Sequence, residues 1–266
     1  YTTSTTIGYW AFNKGERWAL VTRSGRPKVW DFGSAAKAHR IQLPSLFDEE
    51  NSVAGNAGLQ GAIGPEAGLH DRAAKEIGAA LRDAGLGGEP LGVDMAETSV
   101  FLALQREGIN VVDGQQPMMH AREIKNPDEI MLLSQASAMV DGVYQDIFEM
   151  LKPGIRESDV VGLAHARLFE MGSEFVEAIN SISGERCAPH PHVFSDRLIR
   201  PGDQAYFDII HAFNGYRTCY YRTFVVGRAT QAQRDAFKQS REWMDAAIEQ
   251  VRVGNTTDMI ARVWPK

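Results

Sequence analysis

The chain has no apolar run approaching the ~20 residues needed to cross a bilayer. Its 44% hydrophobic residues are therefore read as core-forming, and no membrane partner is expected. It also has no basic run and no lysine–arginine stripe. With 28 Lys and Arg against 34 Asp and Glu, the formal net charge is −6. That argues against nucleic acid as a partner, because phosphate binding needs clustered positive charge. Cysteine is scarce: Cys187 and Cys219 are the only two. They make no disulfide framework, and a reducing cytoplasm is the default compartment. An initiating methionine is missing too. The chain begins at Tyr1 inside a strand-like "YTTSTTIGYWAF" and ends at Lys266 in or just after a helical pattern. Both ends read as cut, so the lack of a signal peptide excludes nothing.

The chain's 266 residues suffice for one large or two ordinary domains. Residues 1–34 read as β-rich, with a hairpin-like pattern around Ser24-Gly25-Arg26-Pro27. A loop-like region follows from His39 to Gly68. "DRAAKEIGAALRDAG" is an amphipathic helix with Ala73, Ile77, Leu81 and Ala84 on one face and Gly85 as its stop. "LGVDM", "ETSVFLALQREG" and "INVVDG" read as strand, helix and strand. The alternation predicts a small α/β domain over residues 1–120. A second region, 121–266, opens with a long helix. Asn126 is its N-cap, Pro127 suits its first turn, and Asp128 and Glu129 favour its positive end. Ile130, Leu133, Val140, Val143, Ile147 and Leu151 line one face, and Pro153-Gly154 stops it. A second helix, capped by Glu157 or Ser158, ends at Gly172. Three strands and another long helix, about 231–251, follow. "LKPGIRESDVV" from Leu151 is echoed by "VRVGNTTDMIA" from Val251, 100 residues later, as a duplicated unit would require.

The chemistry concentrates in "FDIIHAFNGYRTCYYRTF", Phe207 to Phe224. Asn214-Gly215 between aromatic and β-branched arms is a strong hairpin signal. Folding those arms together brings Asp208 and Cys219, 11 residues apart, towards one point. A buried carboxylate needs a metal, a cation or hydrogen bonds. Just upstream, Pro189-His190 and Pro191-His192 lie in a proline-restricted loop. Histidine supplies a proton carrier or a ligand, so a His-bearing loop adjoins an acid-bearing hairpin.

Taken in order, these segments resemble the pita-bread family of Xaa-Pro aminopeptidases, prolidases, methionine aminopeptidases and creatinase. The residues that carry the resemblance are Arg122, Ile124, Lys125 and Glu129-Ile130, then Leu151 to Asp159. They continue with Pro-His in the loop, Arg197-Leu198-Ile199-Arg200-Pro201-Gly202-Asp203, Phe207-Asp208, Gly215-Tyr216, Arg222-Thr223 and Val226-Gly227. The similarity is close over about 122–264 and looser over 1–119. It implies an α/β (α+β) fold: a creatinase-like N-terminal domain, then the first half of a duplicated pita-bread catalytic domain. It also implies hydrolysis of a C–N bond in a small-molecule or dipeptide-like substrate, and a homodimer. Metal-dependent members place an Asp in each hairpin arm and draw a His and two Glu ligands from the second half. Asp208 matches the first Asp, and Cys219 stands where the second is expected.

The resemblance then assigns His190 or His192 to proton transfer, Arg222 to orienting Asp208 or a substrate carboxylate, and Asp208 with Cys219 to a divalent metal. The expected metal is zinc or manganese, and a thiolate suits zinc well and manganese poorly. Creatinase has the fold and no metal, so a metal-free site is the second reading of Cys219. A covalent nucleophile is the third, and a small buried packing residue is the plainest. A dimethylsulfoniopropionate lyase and a non-catalytic peptide-binding module also use this fold. His39, His70, His120, His165 and His211 read as structural. Trp10, Trp18 and Trp30 read as core sooner than as a substrate mouth.

Overall fold

The computed structural model of the chain describes residues 17–23, 25–55 and 64–265. The opening strand-like segment, Trp10 and Ser24 lie outside them. The described residues pack into two compact units. One holds the residues up to Ser137, with Gly172–Phe175 and His211–Arg217. The other holds Ala138–Met171, Val176–Ile210 and the residues from Thr218 onward.

In the first unit β1 (Trp18–Leu20) pairs antiparallel with β2 (Lys28–Asp31), Trp18 opposite Trp30. The turn read around Gly25 joins them. The chain then enters α1 (Gly33–Gln42) and returns as β3 (Ser52–Ala54), parallel to β2. The end of α1 and all of β3 fall in the stretch expected to be loop. Three residues are too few to show a strand's alternation. The short helix is tied down by a tertiary contact: buried His39 meets the buried Asp31 carboxylate at 2.8 Å, and Arg17 meets its other oxygen at 2.7 Å. α2 (Leu69–Asp83) buries Ala73, Ile77 and Leu81 as its pattern requires. Gly85 closes it at φ 73°. Its N–H donates to Arg82 O and Leu86 N–H to Leu81 O, a Schellman turn that a residue with a Cβ adopts only under strain. β4 (Leu91–Val93), α3 (Thr98–Arg106) and β5 (Val111–Asp113) form a parallel βαβ unit. Trp30, Ile77, Leu81, Val100 and Leu104 make the common core, so Trp30 is a core residue. α4 (Gln115–Glu123) has no fully buried residue, and its weak amphipathic pattern gave no signal.

α5 (Pro127–Met150) begins with a reciprocal cap. Asn126 Oδ1 accepts from Glu129 N–H, and the Glu129 carboxylate accepts from Asn126 N–H. Val140, Val143 and Ile147 are fully buried, whereas Ile130, expected on the same face, is exposed. α6 (Glu157–Glu170) takes Arg156 as its N-cap position, one residue earlier than expected. The Asp159 carboxylate accepts from Arg156 N–H there.

β6 (Phe175–Ser183), β7 (Gln204–Phe213) and β8 (Tyr216–Val225) form a sheet in that order. Asn214 and Gly215 both have positive φ, 48° and 80°, the hairpin turn their sequence calls for. Alternate residues of β7, Ala205, Phe207 and Ile209, enter a core with Val140, Ile147 and Leu168. Burying each of the large side chains contributes about 1.5–3 kcal/mol. Tyr144 of α5 sits 2.8 Å from Phe207 O and 2.7 Å from Tyr220 O. α7 (Gln231–Glu249) and α8 (Thr257–Ala261) follow. Gly154 before α6 and Gly254 before α8 have φ of 92° and 91°, so the sequence echo is also an echo of backbone conformation.

Candidate functional site

The period of two along a strand assigns β7 and β8 two faces. Phe207 and Ile209 point to the core, and so leave Tyr206 and Asp208 on the opposite face. On β8, Tyr220 and Phe224 pack against the core, and so leave Cys219 and Tyr221 beside Asp208. Asp208 is 1% exposed. Its Oδ1 accepts from the Cys219 thiol at 3.3 Å, and its Oδ2 accepts from the Asn180 amide at 3.0 Å. Tyr221 stands next to Cys219's partner on this face. Burial, reinforced by the Asp208 carboxylate, pushes the Tyr221 phenol up to about 12, so it stays protonated at neutral pH. Two donors from two strands hold the Asp208 carboxylate and fix its direction.

Of the two loop histidines, His190 reaches this face. The His190 ring stacks on Tyr206 at 4.6 Å between centroids and lies 5.2 Å from Tyr221. His192 meets His190 edge-on at 4.9 Å. Tyr221 thus meets His190 ring to ring on the face that carries Asp208. The loop is held at its centre by the Tyr206 hydroxyl, which donates to Pro191 O at 2.9 Å.

Arg222 is not brought to Asp208. It is one residue out of phase with Tyr221 and projects to the other face. There its guanidinium lies 4.7 Å from the Tyr220 ring centroid and 3.6 Å from Asp141. Cys219 lies on β8, the edge strand of the described sheet, and is exposed there.

The other histidines sit where structural roles place them. His211 is fully buried. Its Nε2–H donates to Ala136 O at 2.8 Å, and Nδ1 lies 3.0 Å from Ser173 Oγ. Burial lowers its pKa and keeps it neutral. His165 bonds its own helix at Val161 O, and His120 is exposed beside Gln116.

Asn180 and Tyr221 were not anticipated. Tyr221 was within reach of the alternation rule, as the residue two past Cys219. Asn180 comes from another strand and carries no local signal.

Among the described residues, no group of three or more His, Cys, Asp or Glu side chains could hold a metal ion. The donor pair itself distinguishes between ions. Asp208 Oδ1 and Cys219 Sγ are 3.3 Å apart. Ordinary zinc–sulfur and zinc–oxygen lengths at a tetrahedral angle require about 3.5 Å. A thiolate and a carboxylate at that spacing fit two positions of one zinc. A hard ion such as manganese, which prefers oxygen ligands, suits the thiolate poorly.

A family model described as metallopeptidase family M24 matches residues 131–266. The chain is 28% identical over 186 residues to a Mycobacterium tuberculosis protein named "Probable dipeptidase PepE", covering 68% of this chain and 49% of that one. It is 31% identical over 146 residues to a Xaa-Pro dipeptidase of Pyrococcus furiosus, covering 53% of this chain and 42% of that one. The fold matches a solved X-Pro aminopeptidase of Thermotoga maritima with a TM-score of 0.74 at 15% identity, covering 98% of this chain and 70% of that one. The chain spans about half the length or less of the curated relatives it matches.

Proposed function

Because the chain belongs to metallopeptidase family M24, we propose that the protein it forms part of hydrolyses a C–N bond in a small polar or dipeptide-like substrate, Xaa-Pro dipeptides first. The observation that carries this is Asp208. It is a buried carboxylate, oriented by Asn180 and Cys219, on a sheet face that also carries an imidazole. Asp208 and Cys219 are the residues that would hold one zinc, which supplies a Lewis acid to polarise the scissile carbonyl. Cleaving an amide also requires a proton for the leaving nitrogen. His190 is assigned that transfer in preference to His192, because His190 touches Tyr221 and His192 touches only His190 among the ring contacts described. Tyr206 and Tyr221 fix the imidazole in place and supply apolar walls suited to a proline ring. Arg222 is left with a packing role on the other face. A cytoplasmic homodimer belongs to the same proposal.

A metal-free variant of this chemistry has one observation in its favour: two donors already bond Asp208 without a cation. In that variant Asp208 binds a cationic group of the substrate.

The test is turnover of Xaa-Pro dipeptides by the full-length protein, beside His190→Ala and His192→Ala. General acid–base catalysis contributes about 10²–10⁴-fold. His190→Ala is expected to lose that factor and His192→Ala much less. No turnover of any dipeptide, or equal activity in His190→Ala, would overturn the assignment.

A further inference from the structure

Glu157 is the first residue of α6 and is fully buried. A buried carboxylate is costly unless its oxygens are satisfied. Here they are satisfied several times over, and every partner belongs to the frame of the histidine loop. Oε1 accepts from Ser183 N–H and from Ser183 Oγ–H, both at 2.8 Å. Oε2 accepts from Ser195 N–H at 3.0 Å and from Ser195 Oγ–H at 2.8 Å, and it pairs with the Arg186 guanidinium. The N-terminus of α6 adds a favourable dipole at that position.

Ser183 ends β6, and Arg186 lies in the short 3-10 turn, Gly184–Cys187, that leads into the loop. Ser195 lies just past the loop. Arg186 and Ser195 are nine residues apart in sequence and also bond each other. One carboxylate therefore clamps both ends of the segment that carries His190 and His192. Between the clamped ends, Ser181 N–H donates to Val193 O at 3.2 Å and Tyr206 to Pro191 O at 2.9 Å. The loop has little freedom left to move its imidazoles.

We propose that Glu157 is a positioning residue. By closing the loop on the end of β6, its carboxylate sets where the His190 ring lies against Tyr206 and Tyr221. This rests on the proposed role of His190, but the position of the ring is measurable without it.

The experiment uses the full-length protein with histidines isotopically labelled, as wild type, Glu157→Gln and Ser195→Ala. Glutamine keeps the shape and turns an amide donor towards donors. His190, stacked on Tyr206, is expected to show ring-current-shifted C–H resonances in the wild type. In Glu157→Gln they should return towards ordinary histidine values while the resonances of buried His211 stay put. Ser195→Ala removes one of the five donors and should give a smaller shift of the same kind. Displacing a reacting group by about 1 Å costs about 10²-fold in rate, so kcat should fall by about that factor with KM nearly unchanged. His190 resonances that do not move in a folded Glu157→Gln protein overturn the proposal. If that variant does not fold, unmoved resonances in Ser195→Ala overturn it. Wild-type protein that turns over no dipeptide overturns the functional reading alone, and the resonances still decide the role of Glu157.

Discussion

Replacing Cys219 with aspartate tests how the site manages charge. In the native chain the Cys219 thiol donates to Asp208 Oδ1 across 3.3 Å. An aspartate there can only accept, and it sets a second negative charge about as far from the first. Two unit charges at that distance repel by about 5 kcal/mol at an effective dielectric of 20 and by about 1 kcal/mol in water. Cys219 is exposed, so solvent screens the pair and the lower end applies. The expected loss is about 1–2 kcal/mol in chelator. A divalent cation between the two carboxylates reverses the repulsion. At about 100 times its Kd it returns about 2.7 kcal/mol. The assay is the urea midpoint of the full-length protein in EDTA, in manganese and in zinc. The wild type should gain from zinc and hardly from manganese, and Cys219→Asp should gain from manganese. Equal stability of the two proteins in EDTA, together with no manganese response in the variant, would refute the reasoning.

Two further outcomes follow from buried groups away from the reacting atoms. His211 is buried and neutral, with its pKa held below the ordinary 6.5 mainly by desolvation. Below pH 6.5 the unfolded chain takes up a proton that the folded chain refuses. This residue's contribution is therefore complete above 6.5 and declines as pH falls towards its folded value. An NMR titration of His211 should give a midpoint under 6.5, and a midpoint at or above it contradicts the assignment. The Tyr144 hydroxyl lies against the carbonyls of both Phe207 and Tyr220 and can donate to one at a time. Tyr144→Phe should cost about 0.5–1.5 kcal/mol by denaturant unfolding, and no loss would show that the bond contributes nothing.

Much of this architecture was legible because its signals are local. Asn126-Pro127 and Gly85 mark helix ends through their own backbone chemistry. Asn214-Gly215 fixes the hairpin through the φ values it tolerates, and that hairpin makes Asp208 and Cys219 neighbours. What was not legible depends on contacts between distant segments. β3 exists because β2 is there to pair with it. Asn180 reaches Asp208 from 28 residues away, and Glu157 gathers partners from Ser183, Arg186 and Ser195. Arg222 shows a different failure. Its place in a motif suggested the site, but the strand's alternation, applied one residue further, sends it to the opposite face beside Tyr220.

The measurement that bears most directly on the site is the metal content of the full-length protein after exhaustive dialysis, by elemental analysis. One zinc per chain, lost on Cys219→Ser, is the predicted result. Two manganese ions per chain, or zinc content unaffected by that substitution, would contradict the pairing of Asp208 with Cys219 as its ligands.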